Sequence, residues 1–278
     1  MKKRLQLLTI YIFLACVVFF YLMSATMLFY TAPTPPEAGI AESTSLSIAG
    51  LLLAVVLTGY LLGSIPCGVI ISKKFARTNL LQVGSGKTGT TNVLRAAGKK
   101  AAALALILDI GKGAAAVAIA HLILSTDWAA AAGTGPWLEL GKALTAVAAI
   151  AGHSWSVFLR FKGGRGVATL MGSLLALYWP AGVVGGIGVL GIGFRTKYMS
   201  LGSIIGAVTA FILLMAFYVL RVELFGPVPL EYVVFGMAGA IFIYVMHRDN
   251  ILRLFNGTER RIGEKLKTET VTTSQNPK

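Results

Sequence analysis

A glycine-rich segment from Val83 to Arg95 carries the residue types that bind phosphate. Its glycines free the backbone to fold so that several N–H groups can point at one anion. Hydroxyl and amide side chains add donors, and basic residues add positive charge. The spacing predicts a phosphate-binding loop, with a flexible interhelical loop as the alternative. The candidate phosphate-binding residues are Gly84, Ser85, Gly86, Lys87, Gly89, Thr91, Asn92 and Arg95.

Part of this segment also looks like a Walker A loop, but the match fails at its first position. Gly86-Lys87-Thr88 fits the end of G-x-x-x-x-G-K-[ST], which requires a glycine where this chain has Leu81. No soluble βαβ unit surrounds the segment, although the motif needs that context. The sequence therefore excludes a P-loop ATPase.

Three further polar segments supply candidate catalytic residues. Residues 152–169 join glycines to basic residues, including Arg165, and residues 195–203 contain Ser203. In the last segment His247 and Asn250 lie three residues apart and would share a helix face. A His/Asn pair there could serve acid–base and substrate-orienting roles. The alternatives are, in the same order, a basic loop that contacts lipid headgroups, serines that only bond back to their own helix, and a juxtamembrane basic tail.

Asp109 and Lys112 are ionisable residues inside an apolar run, at helical i, i+3 spacing. Such groups are costly in lipid and usually pair. We predict a structural or site-organising ion pair. His153, near a helix end, is more typical of a local hydrogen bond than of a catalyst. No Ser-His-Asp arrangement and no Cys/His metal spacing is recognisable, so the sequence predicts neither a metal nor a cofactor.

The elements that must position these residues are membrane helices. The chain has 278 residues, of which 56% are hydrophobic and only 13% are charged, with a mean hydropathy of +0.76. A soluble domain carries about 25% charged residues. The net charge is +14, but the absence of a soluble basic domain excludes nucleic-acid binding. Cys16 and Cys67 lie in different apolar runs and predict no disulfide framework.

The apolar runs predict an all-α polytopic membrane protein with about eight membrane helices, because a span needs roughly 20 apolar residues. Residues 1–45 are interpreted as an anchor helix (about Leu5 to Tyr30) and an outer loop, 46–263 as the membrane core, and 264–278 as a polar cytoplasmic tail. Two short helices between Gly166 and Phe194 should form a hairpin split at Trp179-Pro180. The remaining spans are predicted at about Leu46–Ser72, Ala101–Leu124, Leu138–Leu159, Leu201–Leu220 and Leu230–Met246.

The distribution of charge predicts the orientation of these helices. All but three of the 25 Lys and Arg residues lie at the N-terminus or in residues 73–100, 160–165, 195–197 and 247–278. Cytoplasmic loops carry such an excess of positive charge. We therefore expect both termini and all the polar segments on the cytoplasmic side.

Taken together and in order, the polar segments resemble the bacterial acyl-phosphate:glycerol-3-phosphate acyltransferase family. The resemblance covers about residues 46–263 and includes Gly63-Ser64-Ile65-Pro66-Cys67-Gly68. It implies a core of seven membrane helices in the bacterial plasma membrane, which the extra N-terminal helix here precedes. The implied reaction transfers a fatty acyl group from acyl phosphate to the sn-1 hydroxyl of glycerol 3-phosphate. Lysophosphatidic acid and phosphate are the products, made for membrane phospholipid synthesis.

The resemblance also implies roles for single residues. Ser85 and Arg95 match positions that hold substrate phosphate, and Arg165 occupies a position where the family typically has lysine. The polar positions around glycerol 3-phosphate are matched by Ser203, His247 and Asn250.

Besides Arg165, three positions depart from the family pattern, and the first is Asn79, where the family usually has aspartate. Leu81 stands where the family usually has arginine, and Lys87 stands where it usually has asparagine. One charge is thus lost upstream and one is gained within the loop. We hypothesise that Lys87 compensates for the missing arginine.

Two other functions fit parts of the pattern. A transporter of an organic phosphate also uses broken helices and glycine loops, but its site lies near the membrane midplane and its sequence often repeats internally. A non-catalytic membrane partner that binds anionic lipid would not require the clustered Gly, Ser, Thr and Asn. The sequence favours the acyltransferase function, and the transporter is the alternative.

Overall fold

The computed structural model describes residues 38–264, with side chains from residue 47 onward. The predicted anchor helix and most of the predicted tail lie outside the described residues. Every regular element within 38–264 is helical. The α-helices are α1 (Ala38–Ser64), α2 (Cys67–Ala76), α3 (Thr90–Leu124), α4 (Asp127–Ala131), α5 (Leu138–Ser154), α6 (Val167–Leu177), α7 (Trp179–Thr196), α8 (Met199–Val219), α9 (Leu230–Met246) and α10 (Arg248–Phe255).

The first predicted core span is one apolar stretch broken at Pro66. We expected a continuous helix from about Leu46 to Ser72, whereas α1 ends at Ser64 and α2 begins at Cys67. Proline has no backbone N–H and its ring clashes with the preceding turn, so the helix ladder is interrupted there. The Ile65 carbonyl at this break accepts a hydrogen bond from Lys112 Nζ at 3.0 Å.

Helix α3 begins earlier than the hydrophobic pattern predicts. We expected a span from about Ala101, but α3 starts at Thr90 and passes through a kink at Gly98, where φ is 82°. The first turns of α3 therefore include the second half of the predicted phosphate loop. Because of this, Thr91, Asn92 and Arg95 project from a helix and not from a flexible loop.

The predicted hairpin between Gly166 and Phe194 is confirmed as α6 and α7, which are separated at Tyr178. Helix α7 packs closely on α8 through glycines. A Cβ on Gly188 would lie 3.0 Å from the Cα of Gly206, so larger residues would separate the two backbones. Small residues allow this close approach between membrane helices, where packing replaces the hydrophobic effect as the driving force.

Helix α5 lies at the centre of the fold and packs against α1, α3, α6 and α9. Three stretches of the described chain are long and apolar enough to cross a membrane: Ser47–Ala76, Thr90–Leu124 and Met199–Val219. A fourth is obtained if α9 and α10, which are bent by 59°, count as one span. Helices α5 and α9 have 17 residues each, just short of the roughly 20 that a full span needs. The all-helical membrane class is confirmed, and the described residues give three or four candidate spans.

Candidate active site

Asn92 shapes the glycine-rich loop from inside. Its Oδ1 accepts a hydrogen bond from the Ser85 backbone N–H at 3.1 Å. Its Nδ2 donates to the carbonyls of Leu80 and Val83, each at 3.1 Å, and of Lys87 at 2.9 Å. With 2% of its surface exposed and both ends of its amide engaged, Asn92 is placed to organise the loop. The sequence predicted a substrate contact here.

Gly84 and Gly86 make the turn of this loop. Both have positive φ, at 59° and 64°, a region that favours glycine. Neither lines the cavity described below. Gly84 and Gly86 therefore form the turn that places Ser85 and Lys87 in the cavity wall.

A cavity of about 510 Å³ brings together the four polar segments that the sequence singled out. The Gly89–Arg95 stretch, the turn before α6, the start of α8 and the region around α10 each supply part of its wall. The predicted site residues that line it are Ser85, Lys87, Gly89, Thr91, Asn92, Arg95, Arg165, Ser203, His247 and Asn250. The sequence therefore identified residues far apart in the chain that share one site.

Three of these residues make one end of the cavity cationic. Burial lowers the pKa of Lys87, and the positive charge of Arg165 lowers it further. Burial also lowers the pKa of Arg165 to about 10, with Arg253 as the next cause. Arg165 is oriented by a hydrogen bond from its Nε to the Met246 carbonyl at 3.3 Å. Arg95 Nε is buried without a hydrogen-bond partner within the described chain. Desolvated cations that repel one another form a strong site for a phosphate.

His247 has a defined tautomer. Its Nδ1 lies 2.8 Å from the Ile243 carbonyl oxygen, which can only accept a hydrogen bond. Nδ1 therefore carries a proton, and Nε2 is the nitrogen able to accept one. The residue is 3% exposed and shares the cavity wall with Arg165, whose charge opposes protonation of the imidazole. Neutral His247 suits a hydrogen-bond acceptor for a substrate hydroxyl.

Glu259 joins the other polar side chains at the cavity mouth. Its Oε1 accepts hydrogen bonds from Ser200 Oγ at 2.8 Å and from Asn250 Nδ2 at 2.6 Å. Its Oε2 accepts from Arg253 Nε at 2.8 Å, and the Glu259 side chain is only 6% exposed. This leaves the buried Asn250 Oδ1 without a partner within residues 47–264. Ser203 Oγ, by contrast, bonds back to the Met199 carbonyl at 2.7 Å.

The sequence pattern predicted no role for Glu259. The available signal was a single acid within a basic run that includes Arg253, Arg260 and Arg261. Its main partner on another element, Ser200, lies 59 residues away in the chain, so local spacing does not reveal the contact.

The other end of the cavity is apolar. One face of α7 lines it with Gly182, Gly186, Leu190 and Phe194, four residues apart along the helix. Side chains from α3 and α6 face them, including Leu106, Ile110, Met171 and Leu175. Leu190 is 43% exposed and Phe194 is 57% exposed, so this end opens sideways between helices. The cavity thus has the shape and polarity of an amphiphile, with an anionic head and an apolar chain.

The predicted ion pair is confirmed behind the cavity. Lys112 Nζ lies 2.8 Å from Asp109 Oδ1, and both side chains are buried. His153 Nδ1 is 3.5 Å from the same carboxylate oxygen, and both Asp109 and His153 reach the cavity wall. Within residues 47–264, no three His, Cys, Asp or Glu side chains are grouped so that they could hold a metal ion.

Comparisons with known proteins agree on one family. The model of the glycerol-3-phosphate acyltransferase family matches residues 52–257. The chain is 44% identical over 215 residues to glycerol-3-phosphate acyltransferase 3 of Dehalococcoides mccartyi (strain CBDB1), covering 77% of this chain and 97% of that protein. It is 41% identical over 233 residues to the glycerol-3-phosphate acyltransferase of Nostoc sp. (strain PCC 7120), covering 81% and 96%.

Solved structures of PlsY (YgiH), an integral membrane glycerol 3-phosphate acyltransferase, are also similar. Its glycerol 3-phosphate form aligns with a TM-score of 0.63 and 34% identity, covering 76% of this chain and 96% of that one. Its lysophosphatidic acid form aligns with a TM-score of 0.61 and 33% identity, covering 76% and 94%.

Proposed function

The chain belongs to the glycerol-3-phosphate acyltransferase family, and from this premise we propose that it transfers a fatty acyl group from acyl phosphate to the sn-1 hydroxyl of glycerol 3-phosphate. The products are lysophosphatidic acid and phosphate, and the reaction serves membrane phospholipid synthesis. One observation carries the proposal: a single cavity joins a cationic end, lined by the predicted polar residues, to an apolar end that opens between helices.

The cationic end fits two phosphate groups. Ser85, Lys87 and Arg95 would hold the phosphate of glycerol 3-phosphate, with Gly89 and Thr91 lining the same wall. Arg165 would hold the phosphate of the acyl donor. The acyl chain would extend along α7 into the apolar end. This arrangement places a water-soluble substrate beside a lipid-borne carbonyl, and positioning of this kind contributes roughly 7–11 kcal/mol to lowering a barrier.

The reaction needs no enzyme nucleophile, because acyl phosphate is already activated. The sn-1 hydroxyl oxygen forms the new ester bond to the carbonyl carbon, and the bond from that carbon to the phosphate oxygen breaks. Arg165 stabilises the charge that develops on the leaving phosphate. His247 Nε2 and Asn250 Oδ1 can only accept hydrogen bonds, so they orient glycerol 3-phosphate through its sn-2 hydroxyl and leave the sn-1 hydroxyl proton free to transfer. Since Arg165 opposes a second positive charge on His247, the hydroxyl proton passes to a substrate phosphate oxygen.

The proposal extends to topology. We place the polar end of the cavity and both termini on the cytoplasmic side of the bacterial plasma membrane, because the positive residues gather there. The full chain would have eight membrane helices: the anchor helix in residues 1–45, followed by seven in the acyltransferase core of residues 46–263. Residues 264–278 would form a cytoplasmic tail. A transporter would need its polar site near the midplane, whereas here the polar residues lie at helix ends.

The proposal is tested by acyl transfer with the purified protein in detergent or lipid. The protein is given labelled glycerol 3-phosphate with palmitoyl phosphate, palmitoyl-CoA or palmitoyl acyl carrier protein. We expect lysophosphatidic acid with palmitoyl phosphate only, and much less of it from Arg95→Ala at limiting glycerol 3-phosphate. Product from acyl-CoA or the acyl carrier protein would contradict the proposed donor. No product with any donor, from protein that unfolds cooperatively on heating, would contradict the proposed activity.

A further inference from the structure

A buried chain of contacts leads from α3 to the turn that carries Arg165. At its start Lys112 Nζ donates to the Ile65 carbonyl at 3.0 Å and lies 2.8 Å from Asp109 Oδ1. The same Asp109 oxygen lies 3.5 Å from His153 Nδ1. Asp109 is 1% exposed and His153 is 5% exposed. An ion pair buried at this depth is costly, which points to a function for it.

His153 supports the next part of the chain, the turn at residues 163–166. Its carbonyl accepts a hydrogen bond from the Gly164 N–H at 3.1 Å. A Cβ on Gly164 would overlap the imidazole Nε2, and a Cβ on Gly163 would overlap the His153 carbonyl oxygen. The backbone of the turn therefore lies directly on His153, and a displaced ring would displace the turn.

Arg165 follows Gly164 in this turn. Its side chain reaches the cavity and is aligned by the hydrogen bond to Met246 at 3.3 Å. The guanidinium stands at the end of a long side chain, so its position depends on where the backbone of the turn is held. His153 Nδ1 and Asp109 Oδ1 form no hydrogen bond within the described chain, so their 3.5 Å contact acts on the imidazole electrostatically. The imidazole in turn packs directly against Gly164.

We infer that Asp109 and His153 are positioning residues for acyl transfer and that they act through Arg165. The inference rests on the proposed function, in which Arg165 stabilises the leaving phosphate. It goes beyond that function by giving the buried cluster on α3 and α5 a definite role. The cluster holds the backbone at Arg165 and thereby sets where its guanidinium lies relative to the acyl phosphate.

The first test replaces His153 by asparagine. His153→Asn keeps an N–H donor near the position of Nδ1, facing Asp109, but removes the ring on which Gly164 lies. We expect kcat to fall about tenfold and KM for glycerol 3-phosphate to stay within about twofold, because small displacements of a catalytic group mainly slow the chemical step. His121→Asn, at an exposed position near the outer end of α3, is the matched control and should leave both constants unchanged.

The decisive test is a double-mutant cycle with Arg165→Ala. If His153 acts through Arg165, His153→Asn should change kcat less than about twofold once the guanidinium is gone. A role in general stability would lower activity by the same factor in both backgrounds. Equal losses in the two backgrounds, or a change confined to KM, would overturn the inference while leaving the proposed function intact.

Asp109 is tested in a form that keeps the fold. Asp109→Asn alone leaves the Lys112 charge buried without its carboxylate, so the double variant Asp109→Asn/Lys112→Met is used. Its kcat should fall about tenfold, and this loss should also disappear in the Arg165→Ala background. A wild-type protein that makes no lysophosphatidic acid would remove the proposed function and this inference together. If the wild type is active but the losses in kcat add in the Arg165→Ala background, only the inference is contradicted.

Discussion

The polar and apolar ends of the cavity are built in different ways. At the polar end, separate parts of the chain meet and hold one another by hydrogen bonds, as Asn92 does within its loop and Glu259 does with Ser200 and Asn250. At the apolar end, one face of α7 presents glycines and exposed aliphatic side chains. The difference indicates that the polar end recognises a group of fixed geometry, while the apolar end accommodates a chain whose length can vary.

The largest effect should come from the polar end at Arg165. Arg165→Ala should lower kcat by about 10²–10³-fold, because in the proposed reaction this charge stabilises the leaving phosphate. Initial rates with saturating palmitoyl phosphate measure it. Lys162→Ala, at an exposed position in the same loop, is the control. A loss of less than about fivefold would show that Arg165 lies away from the reacting atoms.

Glu259→Gln should have the next largest effect. Glutamine can still accept hydrogen bonds from Ser200 and Asn250, but it loses the charge that pairs with Arg253. We expect kcat to fall about tenfold and thermal stability to decrease, since weakening a buried network costs about 1–3 kcal/mol. Thermal unfolding and initial rates are measured together, with Glu264→Gln, an exposed acid nearby, as the control. Unchanged rates and stability would show that the network is dispensable.

Lys87→Asn should raise KM for glycerol 3-phosphate about tenfold at pH 7 and change kcat little, because the variant loses one of the cations to which the proposal assigns phosphate binding. Burial lowers the pKa of Lys87, so the wild type loses the same charge as pH rises through that value. The wild-type and variant values of kcat/KM should therefore converge at high pH. Exposed Lys74→Asn should match the wild type. A pH-independent gap, or an unchanged KM, would contradict the compensating role of Lys87.

The smallest effect should come from the apolar end. Gly186 lines the cavity, and a Cβ there would meet nothing within 4 Å, so Gly186→Leu should place its side chain in the space for the acyl chain. We expect kcat/KM to fall severalfold for palmitoyl phosphate and little for decanoyl phosphate, since losing a few methylene contacts costs about 1–3 kcal/mol. Gly191→Leu, on the same helix with equal space but outside the cavity, is the control. Equal losses for both donors would contradict this assignment.

The sequence predicted which residues line the cavity better than it predicted what each of them does there. Residue type and spacing were enough to select Ser85, Arg165 and His247, because phosphate binding needs glycine, hydroxyl and cation together. The role of Asn92 depends on carbonyls whose directions only the folded loop defines. The role of Glu259 depends on a contact with Ser200 that crosses 59 residues.

The type of the helices was predicted more reliably than their number or boundaries, because about eight membrane helices were expected and the described residues give three or four candidate spans. Hydrophobicity located the apolar runs, but it reports contact with lipid and not the backbone hydrogen bonds that define a helix. Helix α3 therefore extends to Thr90 through a polar stretch with low hydropathy. The helix break at Pro66 could have been predicted from the proline itself. It was missed because Pro66 lies inside a continuous apolar run.

The most direct measurement is a matrix of initial rates for the wild type, Arg95→Ala and Gly186→Leu. Each protein is assayed with palmitoyl and decanoyl phosphate over a range of glycerol 3-phosphate concentrations. The account predicts that Arg95→Ala raises KM for glycerol 3-phosphate by the same factor with both donors. It predicts that Gly186→Leu lowers kcat/KM for palmitoyl phosphate alone and leaves KM for glycerol 3-phosphate unchanged. If each variant changes both the KM for glycerol 3-phosphate and the kcat/KM for palmitoyl phosphate, the cavity does not have one end for each part of the product. The account is also contradicted if the wild type forms no lysophosphatidic acid.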